Sequence, residues 1–143
     1  MKTAILILNC VLLSSCAIAQ EPKKEVSSKP TILQKVKARI TYYYPEAPFW
    51  RKVSCTKTKT AKEGTTVAAH PDFKFGTKLY IPQLKGKIGD GNFVVQDRGS
   101  AVTKKRASRG KGYVFDIFVD SRSDMSRLER KAPEWMDVYI VKN

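Results

Sequence analysis

A mainly β fold is predicted: a small closed barrel of six strands with one short helix before the last strand. Three observations lead there. Short apolar runs with period-two alternation recur along the chain, Gly- and Asp-containing turn signals separate them, and one stretch alone has helical spacing. A sheet this small protects its edges best by closing on itself. The chain has 143 residues, 42% of them hydrophobic, which suits a single globular domain.

The first element is an address rather than part of the fold. Met1-Lys2 is a short positive start, Ala4 to Leu13 is apolar except for Asn9, and small residues follow. That is the layout of a secretory signal peptide, and the apolar run is too short to span a bilayer as a permanent helix. Two processing sites compete. Ala17-Ile18-Ala19 before Gln20 has the A-x-A form and makes residues 1–19 the signal. Leu13-Ser14-Ser15-Cys16 has the form of a bacterial lipobox, which makes 1–15 the signal and Cys16 the lipidated first residue. Either route exports the protein to the periplasm or cell envelope, and lipidation at Cys16 makes an outer-membrane lipoprotein of it. Residues 20–35, with Glu21-Pro22-Lys23-Lys24-Glu25 and Ser27-Ser28-Lys29-Pro30, read as a flexible linker. Residues 36–143 are the folded domain.

From Val36 onward, Ala38, Ile40, Tyr42 and Tyr44 alternate with Lys37, Arg39, Thr41 and Tyr43, the pattern of a strand with one buried face. Further strands are expected at Thr66 to Ala69, Lys78 to Pro82, Asn92 to Gln96, Tyr113 to Val119 and Met136 to Val141. Phe75-Gly76-Thr77 and Gly89-Asp90-Gly91-Asn92 mark turns between them. Asp120-Ser121-Arg122-Ser123 offers N-cap side chains, and Met125 with Leu128 has the i, i+3 spacing of one helical face.

The charge balance narrows the partners. With 27 Lys and Arg against 13 Asp and Glu, the formal charge is +14, which calls for a polyanion. For an exported protein that means wall and envelope polymers before nucleic acid. Of the three cysteines, Cys10 and Cys16 fall in the signal segment, so Cys55 alone remains and a disulfide scaffold is excluded. One histidine and one thiol have no zinc-ligand spacing, and no phosphate-binding glycine loop is present, so neither metal nor cofactor is expected.

Three residues stand out chemically. His70, the only histidine, ends the apolar run Val67-Ala68-Ala69 and precedes Pro71, which places a titratable ring at a barrel mouth. Asp97 follows the apolar Phe93 to Val95 and precedes Arg98-Gly99, a carboxylate at a point where the chain turns. Asp116 interrupts Val114-Phe115 and Ile117-Phe118, where a charge is costly unless it is paired or faces a polar cleft. Each has an ordinary structural alternative: a capped turn for the aspartates, a hydrogen-bonded packing role for the imidazole. Lys104, Lys105, Arg106, Arg109 and Lys111 form a basic segment, read as a hairpin that grips anionic polymers or as a solvated loop. Tyr42, Tyr43, Tyr44, Phe49 and Trp50 form an aromatic cluster in which Tyr43 and Trp50 are candidates for stacking on sugar, against a core-packing alternative. A nucleophilic pairing of Cys55 with His70 has no third orienting group in the sequence.

Taken together, Ala68-Ala69-His70, Phe75-Gly76-Thr77-Lys78-Leu79, Val94-Val95-Gln96-Asp97-Arg98-Gly99 and Phe115-Asp116-Ile117 resemble the ordered motifs of the rare lipoprotein A family. They are similar also to the three-aspartate domain found in membrane-bound lytic transglycosylase A, with His70 at the place of the first aspartate. The resemblance spans residues 38–141. It implies a six-stranded double-psi β-barrel and cleavage of the β-1,4 bond between N-acetylmuramic acid and N-acetylglucosamine in peptidoglycan, leaving a 1,6-anhydro end.

On that resemblance Asp97 is the general acid and then the base, with His70 and Asp116 in support. Arg98 points away or holds substrate, and Lys104, Lys105, Arg106, Tyr43 and Trp50 touch the glycan or its peptides. The family's acid shortly before Ala-Ala-His has no counterpart: Thr58 to Thr60 stand near its place, and Glu63 is the nearest acid. The segment between Asp97 and Asp116 is longer than in the three-aspartate pattern. The alternative function is a non-catalytic, expansin-like or barwin-like glycan-binding module. A secreted nucleic-acid-binding protein is the more distant one, and specific nucleic-acid recognition is not expected.

Overall fold

The computed structural model describes residues 31–45 and 60–142. The signal segment with Cys16, most of the linker, Trp50, Cys55 and Thr58 lie outside the described residues.

The fold is mainly β. Six strands, β1 (Ile32–Tyr43), β2 (Thr66–Ala68), β3 (Lys78–Tyr80), β4 (Asn92–Asp97), β5 (Val114–Phe118) and β6 (Trp135–Val141), pair in the order β1-β5-β2-β4-β3-β6. Since β6 also pairs with β1, the sheet closes on itself in a ring. Two pairs are parallel, β1 with β5 and β2 with β4, and the rest are antiparallel.

Alternation decides what fills the ring. Ala38 and Ile40 of β1, Val67 of β2, Leu79 of β3, Phe93 and Val95 of β4, Phe115 and Ile117 of β5, and Met136 and Val138 of β6 form one buried cluster. Residues between them in the sequence, such as Arg39, Thr41, Ala68 and Asp116, belong to the opposite face of the sheet.

β1 begins at Ile32, four residues before the alternation starts at Val36. Its early part is exposed, so hydrophobic patterning gives no sign of it. A ladder to β6 holds it instead, from Ile32↔Val141 to Arg39↔Trp135. β3 is shorter than expected: Ile81 and Pro82 leave the strand and Pro82–Leu84 form a 3-10 turn with Pro82 at its start, burying Leu84. Gly91, at φ +84°, is needed there. A Cβ would stand 3.0 Å from the Ile81 carbonyl oxygen.

The expected helix is α2 (Arg122–Lys131), capped by Ser121, whose hydroxyl accepts the Asp124 N–H. Leu128 is its buried residue and Met125 packs beside the core. The expectation of a single helix needs correcting, because a second, α1 (Ser100–Thr103), follows Asp97-Arg98. Gly99 supplies no capping side chain, so the sequence carries no start signal. What fixes α1 is Val102, buried with Ala68 and Val114 on the sheet's other face. The basic segment after it is a run of turns, not a hairpin. Ser108 closes it by donating toward the Lys105 and Gly112 carbonyls, and Arg39 donates to the Ala107 carbonyl at 2.8 Å.

Candidate functional site

The site begins with an irregularity in β4. Val67 pairs with Val95, but Ala68 pairs with Asp97, so Gln96 is an extra residue in the ladder. The bulge takes Asp97 out of the inward sequence set by Phe93 and Val95 and sets it opposite Ala68. On the far side of Ala68 the register places Asp116 of β5. Asp116 in turn pairs with Thr41 of β1. One line across the sheet therefore reads Asp97, Ala68, Asp116, Thr41, with only a methyl group between the two carboxylates.

Each carboxylate is held by its surroundings. Asp97 is 8% exposed; its Oδ2 accepts the Tyr43 hydroxyl at 2.8 Å and its Oδ1 accepts the Arg98 N–H at 2.8 Å. Asp116 accepts the Thr41 hydroxyl on Oδ1 at 2.7 Å. Burial pushes the Asp116 carboxyl up to about 6; the Thr41 bond works against this and the nearby Asp97 charge adds to it. Asp116 therefore keeps its proton in mildly acidic solution.

Tyr43, considered from the sequence as a sugar-stacking ring, spends its hydroxyl on Asp97 and packs edge-on against Phe118, with centroids 5.4 Å apart. Arg98 keeps its guanidinium near the backbone. It donates to the Asp97 carbonyl at 3.1 Å and the Phe73 carbonyl at 2.5 Å, and lies 4.1 Å from the centroid of the Phe75 ring.

His70 lies two residues past the end of β2 and belongs to a cluster of its own. Its Nδ1 lies 3.1 Å from Oδ2 of Asp72, and Tyr113 donates its hydroxyl to the same oxygen at 2.6 Å. The Tyr113 bond, more than the imidazole, holds the Asp72 carboxyl below the usual carboxylate range. Lys105 stands over the Tyr113 ring at 4.3 Å, so this residue of the basic segment is partly occupied. Lys104, Arg106, Arg109 and Lys111 are exposed.

Glu63, the acid nearest the family's missing position, accepts the Asp120 N–H at 2.7 Å and so serves the start of the loop before α2. Among the described residues no three His, Cys, Asp or Glu side chains come together as metal ligands, and no helix is long and apolar enough to cross a membrane.

Thr41, Asp72 and Phe75 are site residues that sequence reading passed over. Thr41 looks like an ordinary outward position of a strand, and its tie to Asp116 depends on a parallel register between segments 75 positions apart. Asp72 had a local signal, a carboxylate two residues after the only histidine.

No protein-family model matches the chain, and no curated protein matches it.

Proposed function

We propose that this chain is an exported lytic transglycosylase of peptidoglycan, built on a double-psi β-barrel, with Asp97 as its general acid and base. The observation that carries the proposal is the pairing of Asp97 and Asp116 across Ala68, with the Asp116 carboxyl pushed up to about 6 by burial. A carboxyl raised by burial beside a second carboxyl is a common setting for acid catalysis. The closed mixed sheet and the position of Asp97 at its β4 bulge support the fold part of the reading.

The reaction needs one proton out and one back. Asp97 gives its proton to the glycosidic oxygen as the bond to the muramic acid C1 breaks. The 6-hydroxyl of the same sugar then attacks C1, and the Asp97 carboxylate takes the hydroxyl proton, which restores the acid and leaves the 1,6-anhydro ring. No water is consumed. Asp116 limits the negative charge of the pair by holding a proton in mildly acidic solution, and Tyr43 aims the Asp97 carboxyl. His70 and the exposed Lys104 and Arg106 face the glycan or its anionic substituents while Arg98 braces the loop from Phe73 to Phe75, with the export signal and Cys16 setting the location.

A binding-only module is the second reading. It is favoured by the full use of both Asp97 oxygens in hydrogen bonds and by the engagement of Glu63 with the backbone. Co-sedimentation with sacculi and release of soluble fragments, measured side by side for wild type and Asp97→Asn, separates the two. The enzyme loses release and keeps co-sedimentation in the variant; a binding module co-sediments and releases nothing in either form.

A further inference from the structure

Phe75 is one of three large apolar residues that are exposed among the described residues, at 46%. An exposed apolar side chain is ordinary by itself. This one is fixed against the strand that carries Asp97. The Gly76 N–H donates to the Val95 carbonyl at 2.8 Å, and the Val95 N–H donates to the Thr77 carbonyl at 2.9 Å. Gly76 makes the turn at φ +87°, a conformation that side chains rarely adopt. Phe75 and Gly76 are the central residues of a turn closed by the Thr77 N–H on the Lys74 carbonyl, and since Gly76 and Thr77 both bond Val95 this turn is anchored to β4 two residues before Asp97.

Arg98 then fixes the ring itself. Its guanidinium bonds the Asp97 and Phe73 backbone carbonyls and stacks on Phe75 at 4.1 Å, so one side chain ties the aromatic ring to the backbone of the residue that carries the candidate acid.

We propose that Phe75 is the stacking platform that seats a pyranose ring next to Asp97, the ring belonging to a β-1,4-linked N-acetylhexosamine chain. The choice of a glycan rests on the function proposed above; the placement of the platform does not. A cationic ligand is disfavoured by the guanidinium already on the ring. A sugar ring suits the position: its C–H face packs on the aromatic ring while its hydroxyls meet polar groups at the edge. A platform held rigid beforehand also lowers the ordering cost of binding.

Isothermal titration of the full chain with chitotetraose, a β-1,4-linked N-acetylglucosamine oligomer, tests this in wild type, Phe75→Leu and Phe75→Trp. Thermal melts accompany each to show that the fold is kept. The expected result is about a tenfold loss of affinity in Phe75→Leu, the scale of one aromatic stacking contact, with affinity retained in Phe75→Trp. Equal affinity in wild type and Phe75→Leu overturns the proposal, as does equal loss in both variants or the absence of binding by the wild type. Intact sacculi beside Phe75-dependent chitotetraose binding contradict the enzyme reading and leave the platform standing.

Discussion

Tyr43 donates its phenolic proton to Oδ2 of Asp97 across 2.8 Å, from a strand that is not a neighbour of β4 in the ring. The contact gives Tyr43 a role in aiming a carboxylate. Tyr43→Phe removes a hydrogen bond to an acidic group and leaves the ring packed on Phe118. We expect turnover to fall about 10- to 100-fold with KM little changed, from the loss of one such bond. A rise in KM at constant turnover, read from initial rates of muropeptide release, assigns Tyr43 to substrate stacking instead.

Asp116 makes the fold sensitive to pH in a definite direction. Its carboxyl is pushed up to about 6 in the folded protein from the ordinary aspartate value of 3.8, so the folded state binds the proton more tightly. Stability from this group is present below the unfolded value and is lost as pH rises through 6, by up to about 3 kcal/mol. Asp116→Asn keeps an oxygen for the Thr41 hydroxyl and removes the buried charge. The variant is expected to melt several degrees above wild type at pH 8, with the gap closing below pH 4. An equal gap at both pH values contradicts the assignment.

A single histidine makes the Asp72 contact directly observable. The Nδ1 of His70 faces both the Asp72 carboxylate at 3.1 Å and the Asp72 N–H at 3.3 Å, and a neutral ring can satisfy only one of them. The charged acceptor is the stronger partner, so the neutral ring carries its proton on Nδ1 and leaves Nε2 as an acceptor. Imidazole ¹⁵N shifts at high pH report this tautomer. Asp72→Asn is expected to move the ring toward the Nε2–H form; unchanged shifts remove Asp72 from the account.

The basic segment is predicted to bind through charge and to hold its shape through packing. Lys104→Ser, Arg106→Ser and Lys111→Ser together alter exposed positions, so the melting temperature stays near wild type while co-sedimentation with anionic sacculi weakens. Added salt has the same effect on wild type. Val102→Ala acts differently, because Val102 is buried against Ala68 and Val114, and it costs about 2 kcal/mol of stability.

Much of the fold could be read from local pattern. The strands around Val67, Leu79, Phe93, Phe115 and Val138 announce themselves by alternation, and Ser121 with Met125 and Leu128 announces α2. Two features were hidden for physical reasons. The first four residues of β1 are exposed and are held by backbone pairing with β6, which leaves no mark on composition. α1 lacks a capping side chain and rests on one buried valine. In the site, Asp97, Asp116 and His70 were visible as polar residues in apolar surroundings. That Asp97 and Asp116 flank one alanine depends on the β4 bulge and on two long-range pairings. That His70 turns to Asp72 and Tyr113 depends on a contact across 41 positions.

Cleavage by Asp97 with transfer to the sugar's own 6-hydroxyl leaves its mark on the product ends. Mass analysis of the fragment ends released from sacculi by the full chain, with Asp97→Asn as control, reads that mark. Wild type is expected to release 1,6-anhydromuramic ends and the variant none. Reducing muramic ends, or no fragments from a folded protein that still co-sediments with the wall, contradict this chemistry.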